Sequence, residues 1–169
     1  MSQNVLMGFS LFVEGRGHAG DCSKVDLPDL ELKTEEFQAG GWTAPIDVVL
    51  GRLAKVLEVE ATYNTFTPDV MKQTTVSPNT HFSYVFRGAY KTPEGKIVTR
   101  KVTAKAVAKN IKEEAWEPGK KVSMTTKLTC SYYRDEWDGE VINEVDPTNC
   151  GLILDRVDHG AGLRGALGI

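Results

Sequence analysis

Residues Gly15-Arg16-Gly17-His18-Ala19-Gly20 spell G-x-G-x-x-G directly after an apolar run at 9–13. That spelling cradles a pyrophosphate when the last glycine opens a helix whose N-terminal N–H groups meet the phosphates. Downstream residues argue against that chemistry. Val25 and Leu27 alternate with polar neighbours, Pro28 interrupts, and Leu30 and Leu32 resume the two-residue period of a strand. A proline eight residues beyond the last glycine also breaks most helices of useful length. The glycines therefore read as a turn between two strands, where glycine supplies positive φ.

Other reactive side chains meet the same kind of test. His18 stands four residues before Cys22, the types of a nucleophile and its base, but no third group nearby orients them, so His18 reads as an exposed turn residue. His81 and His159 are isolated, and Cys22, Cys130 and Cys150 are three thiols at wide spacing, which fits neither paired zinc ligands nor a disulfide framework. In YRDEWDGEVINEVD, a calcium loop with Gly139 at its sixth position would put Arg134 at its first, so Asp138-Gly139 reads as a tight hairpin turn. Asp135, Glu136, Asp138 and Glu140 have the types of an acid–base pair without a pocket to serve. The bases Lys96, Arg100, Lys101, Lys105, Lys109, Lys112, Lys120 and Lys121 lack interleaved aromatics, so a stacking platform for single strands is missing and the wet side of a strand is the expectation. No catalytic residue, cofactor site or metal site is expected. One further feature, EEFQAGGWTAPIDVVLG, reads as a long loop in which Gly40, Gly41 and Pro45 present Trp42, either folded back on its own core or offered to a partner.

The elements behind these residues are mainly strands. Leu57, Val59, Ala61 and Tyr63 share one face, as do Phe82, Tyr84 and Phe86, and Val98, Val102, Ala104, Ala106 and Ala108. Val122, Met124, Leu128, Cys130 and Tyr132 form another such face, and residues 141–145 return after the Asp138-Gly139 turn. Thr67-Pro68-Asp69 caps a short helix, whereas the glycines of HGAGLRGALGI predict an extended tail. About seven or eight strands with one short helix predict an all-β fold, an antiparallel sandwich or barrel. Two strands of roughly a dozen residues reach beyond a compact core, and identical subunits pairing edge to edge would protect their edges.

The chain has 169 residues, 41% hydrophobic and 25% charged, with a net charge of −3. These values fit one ordinary globular domain, 1–169, and give no bulk electrostatic reason to bind nucleic acid. No apolar run nears the roughly 20 residues that span a bilayer. The first fifteen residues lack the pattern of a signal peptide, so folding in a cytoplasm is expected.

In order, LFVEGRGHAGDCSKVDLPDLELKTEEF, AGGWTAPIDVVLG, FRGAY, VTRKVTAKAVAKNI, KEEAWEPGKK, LTCSYYRDEWDGEVINEVDPTN and LRGALGI resemble the major tail tube proteins of contractile-tailed bacteriophages and R-type pyocins, over residues 11–169. The match is weakest at 61–81, and Trp42 stands where the family would have methionine or another apolar residue.

The resemblance implies two packed antiparallel sheets with one flanking helix, a fold shared with the tube protein of type VI secretion. It implies a structural subunit of the virion: six copies form a ring, and rings stack into a hollow tube inside the contractile sheath. Partners would be the chain itself, the tail sheath protein, the tape measure protein, the baseplate and the tail terminator. DNA would pass without specific binding, and this subunit would insert into no membrane. Gly40, Gly41, Trp42 and Pro45 would contact the next ring. Acidic residues would line the channel, and the basic strand would point at least partly toward neighbours or the sheath. Two alternatives are a type VI secretion tube, distinguished by whether sheath and tape-measure genes of a phage tail lie beside it, and a monomeric barrel enzyme or ligand binder, which needs a pocket with convergent polar groups.

Overall fold

A computed structural model describes residues 3–17, 22–66, 68–73 and 81–169. Within these described residues twelve strands run β1 (Val5–Val13), β2 (Arg16–Gly17), β3 (Cys22–Asp26), β4 (Leu32–Phe37), β5 (Ile46–Leu53), β6 (Glu58–Tyr63), β7 (Phe82–Lys91), β8 (Ile97–Glu113), β9 (Met124–Trp137), β10 (Glu140–Asp146), β11 (Gly151–Leu154) and β12 (Val157–Asp158). Among the described residues two short α-helices are α1 (Pro68–Gln73) and α2 (Ala161–Leu167). The fold is all-β and antiparallel, as predicted. A large sheet runs β12-β11-β10-β9-β8-β7-β1-β2, while β4 and β5 form a separate two-stranded sheet.

β9 organises the core. Beside β8 along most of its length, it pairs its first half with β6 and its second half with β10. β6 also pairs β3, so the sheet forks at β9 and the chain wraps one core. That core takes Leu11 and Val13 from β1, Val59, Ala61 and Tyr63 from β6, and Tyr84 and Phe86 from β7. From β8 come Val102, Ala104, Ala106 and Ala108, at alternate positions as the two-residue period requires. In β9 the period breaks between Cys130 and Tyr133, opposite the register shift at Lys105 and Ala106, so Tyr133 and Asp135 are buried and Tyr132 turns outward.

The turn chemistry follows the sequence. Glu14 and Gly15 link β1 to β2 with φ of 48° and 78°, and Asp138 and Gly139 link β9 to β10 with φ of 51° and 84°. Both are two-residue turns with positive φ at each central position, the geometry that matches strand twist. Gly17 pairs with Phe12 inside β2 rather than turning the chain, and His18 and Gly20 lie outside the described residues. β3 follows where a nucleotide-binding loop needs a helix. Among the described residues, no helix is long and apolar enough to cross a membrane.

Two expectations are corrected. The segment with Gly40, Gly41, Trp42 and Pro45 is no plain loop but the tip of the β4–β5 hairpin. Its strands escaped the pattern because both faces are wet at the tip end, so no one-sided alternation is needed. The C-terminal tail is not extended: α2 forms despite Gly162 and Gly165. Propensity disfavours it, but Arg164 ion-pairs with Asp158 and donates to the Cys150 carbonyl at 3.2 Å, fastening the helix to the body.

Candidate functional site

The β4–β5 hairpin is an arm anchored at its root. Leu30, Leu32 and Leu53 pack against the core, Ala54 N–H donates to the Glu31 carbonyl at 2.7 Å, and Lys55 pairs with both Asp29 and Glu31. Past the root the register shifts between Leu32 and Thr34, opposite a stretch containing Gly51 at φ 66°, so the arm leaves the body through a bulge. Beyond it Phe37, Trp42, Ile46, Val48, Val49 and Leu50 are between 43% and 55% exposed. Trp42 meets Phe37 edge-on with ring centroids 5.6 Å apart, and its backbone N–H donates to the Ala39 carbonyl at 3.1 Å, closing the turn. The indole is therefore folded on its own arm and is no part of the core cluster, with much of its surface open. Gly41, at φ 93°, allows the tip to turn.

At the foot of the arm lies a cleft of about 680 Å³ between the β5–β6 connection and α2, with Leu57, Cys130 and Leu152 at its floor and Leu163 and Leu167 on the helix side. Sequence reading missed this cleft. It depends on α2, whose helical spacing of Leu163 and Leu167 was obscured by the glycines.

A second exposed feature is the sheet itself. β7 covers one edge of β1 along its length, while β2 covers the other only at Phe12 and Val13. Among the described residues, positions 5–11 of that edge pair with no strand, and Val5, Leu6 and Met7 there are exposed. β8 has 17 residues and β9 has 14. At about 3.4 Å per residue β8 spans about 55 Å, while a compact domain of this length is about 40 Å across. The β8–β9 end therefore projects, carrying Trp116 at 81% exposure.

The charged residues do not assemble a phosphate or acid–base site. Lys96, Arg100, Lys101, Lys109 and Lys120 each pair with a carboxylate, respectively Asp138, Asp135, Glu136, Glu58 and Glu117. Asp135 is buried and holds Arg100 through two bonds of 3.0 and 2.6 Å, which raises the guanidinium pKa. Tyr132 donates to Glu144 at 2.8 Å, and Lys105 lies over the Tyr132 ring. Among the described residues no three His, Cys, Asp or Glu side chains are grouped to hold a metal. Cys22 and Cys130 are buried thiols, and burial pushes Cys130 up to about 12. His18, read from the sequence as an exposed turn residue, lies outside the described residues.

An arm, an open sheet edge and projecting strands are features of a chain that assembles. Comparison with known proteins agrees. A sequence profile of the family described as phage tail tube protein FII matches residues 3–168. The tail tube protein of Escherichia phage P2 is 24% identical over 152 residues, covering 89% of this chain and 88% of that protein. The major tail tube protein of Serratia phage KSP20 is 42% identical over 43 residues, a quarter of each chain. This chain belongs to the phage tail tube protein FII family and is a structural component of the virion tail, not an enzyme.

Proposed function

We propose that six copies close a ring by pairing strand edges, and that the rings stack into the tube of a contractile tail. The open edge of β1 at 5–11 carries this reading. An unpaired edge with exposed Val5, Leu6 and Met7 is a template for stray pairing, and a closed barrel shared among subunits removes it. The length of β8 and β9 supports the same reading, because a wall built from several subunits uses strands longer than one core needs.

The tube would house the tape measure protein, then conduct DNA, with the sheath outside and the baseplate and tail terminator at its ends. A conduit must not hold phosphates, and ion pairs at Lys101 and Lys109 lower the capacity of the β8 surface to do so. We assign the unpaired acids to the channel lining and at least part of the basic side of β8 to subunit neighbours or the sheath. Gly40, Gly41, Trp42 and Pro45, at the arm tip, are assigned to contacts between rings. Electron microscopy of the purified protein tests the proposal: rings and tubes are expected, and monodisperse monomers under every condition would contradict it.

A further inference from the structure

We infer that Lys55 is a positioning residue for the arm: by bridging Asp29 and Glu31 across the root, it fixes the angle at which the β4–β5 hairpin leaves the body. The consequence for assembly rests on the stacking reading, whereas the clamp itself belongs to the single chain.

The arm needs a brace because its joint is made of bare chain. Among the described residues, β4 and β5 share no ladder with the body sheet. Residues 27–31 lead in and residues 54–57 lead out, and neither connection is strand. Each residue of such a connection carries two soft dihedrals. Leu30, Leu32 and Leu53 pack against the core, but apolar packing is non-directional and holds the root without setting its tilt. Beyond the Leu32–Leu53 pair that ends the ladder, one backbone bond joins the two connections, from Ala54 N–H to the Glu31 carbonyl at 2.7 Å. A single bond is a pivot.

Lys55 turns that pivot into a triangle. Its Nζ lies 3.3 Å from Asp29 Oδ2 and 2.5 Å from Glu31 Oε2. The two acids stand two residues apart on the incoming connection, and one ammonium on the outgoing connection ties both. Sliding one connection along the other, the motion that tilts the arm, must lengthen one of these pairs. Leverage makes this matter at the tip. The six residues of β4 give the arm a length of about 20 Å, so a tilt of about 10° moves the tip by about 3.5 Å. Packed side chains lose much of their attraction over far smaller gaps. All three side chains are at least 50% exposed, and exposed ion pairs contribute little to folding. The clamp therefore restricts orientation without adding much stability. A looser arm lowers the fraction of protomers with a correctly placed tip, and apparent affinity falls by that fraction.

The test compares the unmodified chain with Lys55→Met, which keeps the aliphatic stem, and Lys55→Arg, which keeps the charge. Spin-labelled unnatural amino acids replace the exposed Thr43 on the arm and Glu94 on the body. Pulsed electron paramagnetic resonance reads the distance between them in protomers held below the threshold for tube growth. Narrow distributions are expected for the unmodified chain and for Lys55→Arg. Lys55→Met should broaden the distribution at an unchanged melting temperature, as should about 1 M salt, which screens exposed charges within about 3 Å. Equal widths throughout, or broadening that appears only with early melting, overturn the inference. In sedimentation, Lys55→Met should raise the critical concentration for tube growth about two- to tenfold, and an unchanged threshold beside a broadened arm would break the link between arm angle and growth. A narrow, clamped arm on a chain that never forms tubes would instead sink the stacking reading and leave the clamp standing.

Discussion

Replacing Trp42 with alanine separates two energies that the structure assigns to one indole. Within the protomer the ring loses its edge-on contact with Phe37, which is worth about 0.5–1.5 kcal/mol beyond the area it buries. For a chain of this length each kcal/mol lost lowers the melting temperature by roughly 2–4 °C. In the tube the exposed part of the ring is covered as well. Trp42 is 44% exposed, or about 110 Å² of an aromatic side chain of about 250 Å². At about 25 cal/mol per Å² that surface contributes roughly 2.5 kcal/mol to each contact. The critical concentration for tube growth should then rise about 50- to 100-fold, since 1.4 kcal/mol is a factor of ten. Sedimentation at graded protein concentration measures the threshold, and calorimetry of the unassembled protomer measures the fold. Equal losses in both, or a changed fold with an unchanged threshold, would show that Trp42 serves its own arm alone.

Three further perturbations test the structural account. Asp135→Ala should destabilise the protomer by about 2–4 kcal/mol in urea unfolding, because it strands a half-buried Arg100; a loss below about 1 kcal/mol would refute the structural role assigned to this pair. In native protein a maleimide should label Cys150 far faster than Cys22 or Cys130 at pH 8, since Cys130 is buried and its pKa is pushed up to about 12; mass spectrometry showing equal labelling would contradict the core placement. The hydrogen bonds from Arg164 hold the Asp158 carboxyl below its ordinary range. Its stabilising share is thus complete above about pH 4 and is lost as pH falls through the depressed value in the folded chain. Amide NMR shifts of residues 160–167 should move only in that acid range, and Asp158→Asn should abolish the transition.

The long core strands were legible because burial is one-sided. Val98 through Ala108 alternate with lysines and threonines, and the two-residue turn at Asp138-Gly139 needs residues that tolerate positive φ. The arm was not legible as strands. IDVVLG is apolar on consecutive positions and LKTEEF polar on nearly all, since neither strand lays a face on the core at its tip. Only its turn was legible, in the two glycines and the proline around Trp42. α2 was hidden for a different reason: its stability comes from Arg164 reaching Asp158 and Cys150, contacts that no local propensity reports. The cleft beneath it was hidden with it. Gly160 shows how tightly that junction is drawn, because a Cβ there would lie 2.3 Å from the Cys150 carbonyl oxygen.

A cryo-electron microscopy reconstruction of assembled tubes tests the central claim most directly. Six subunits per ring are predicted, with residues 5–11 of β1 hydrogen-bonded to a strand of the neighbouring subunit in a continuous barrel wall. A ring in which that edge stays open to solvent, or in which Lys101, Lys105 and Lys109 all line the channel, would contradict the account.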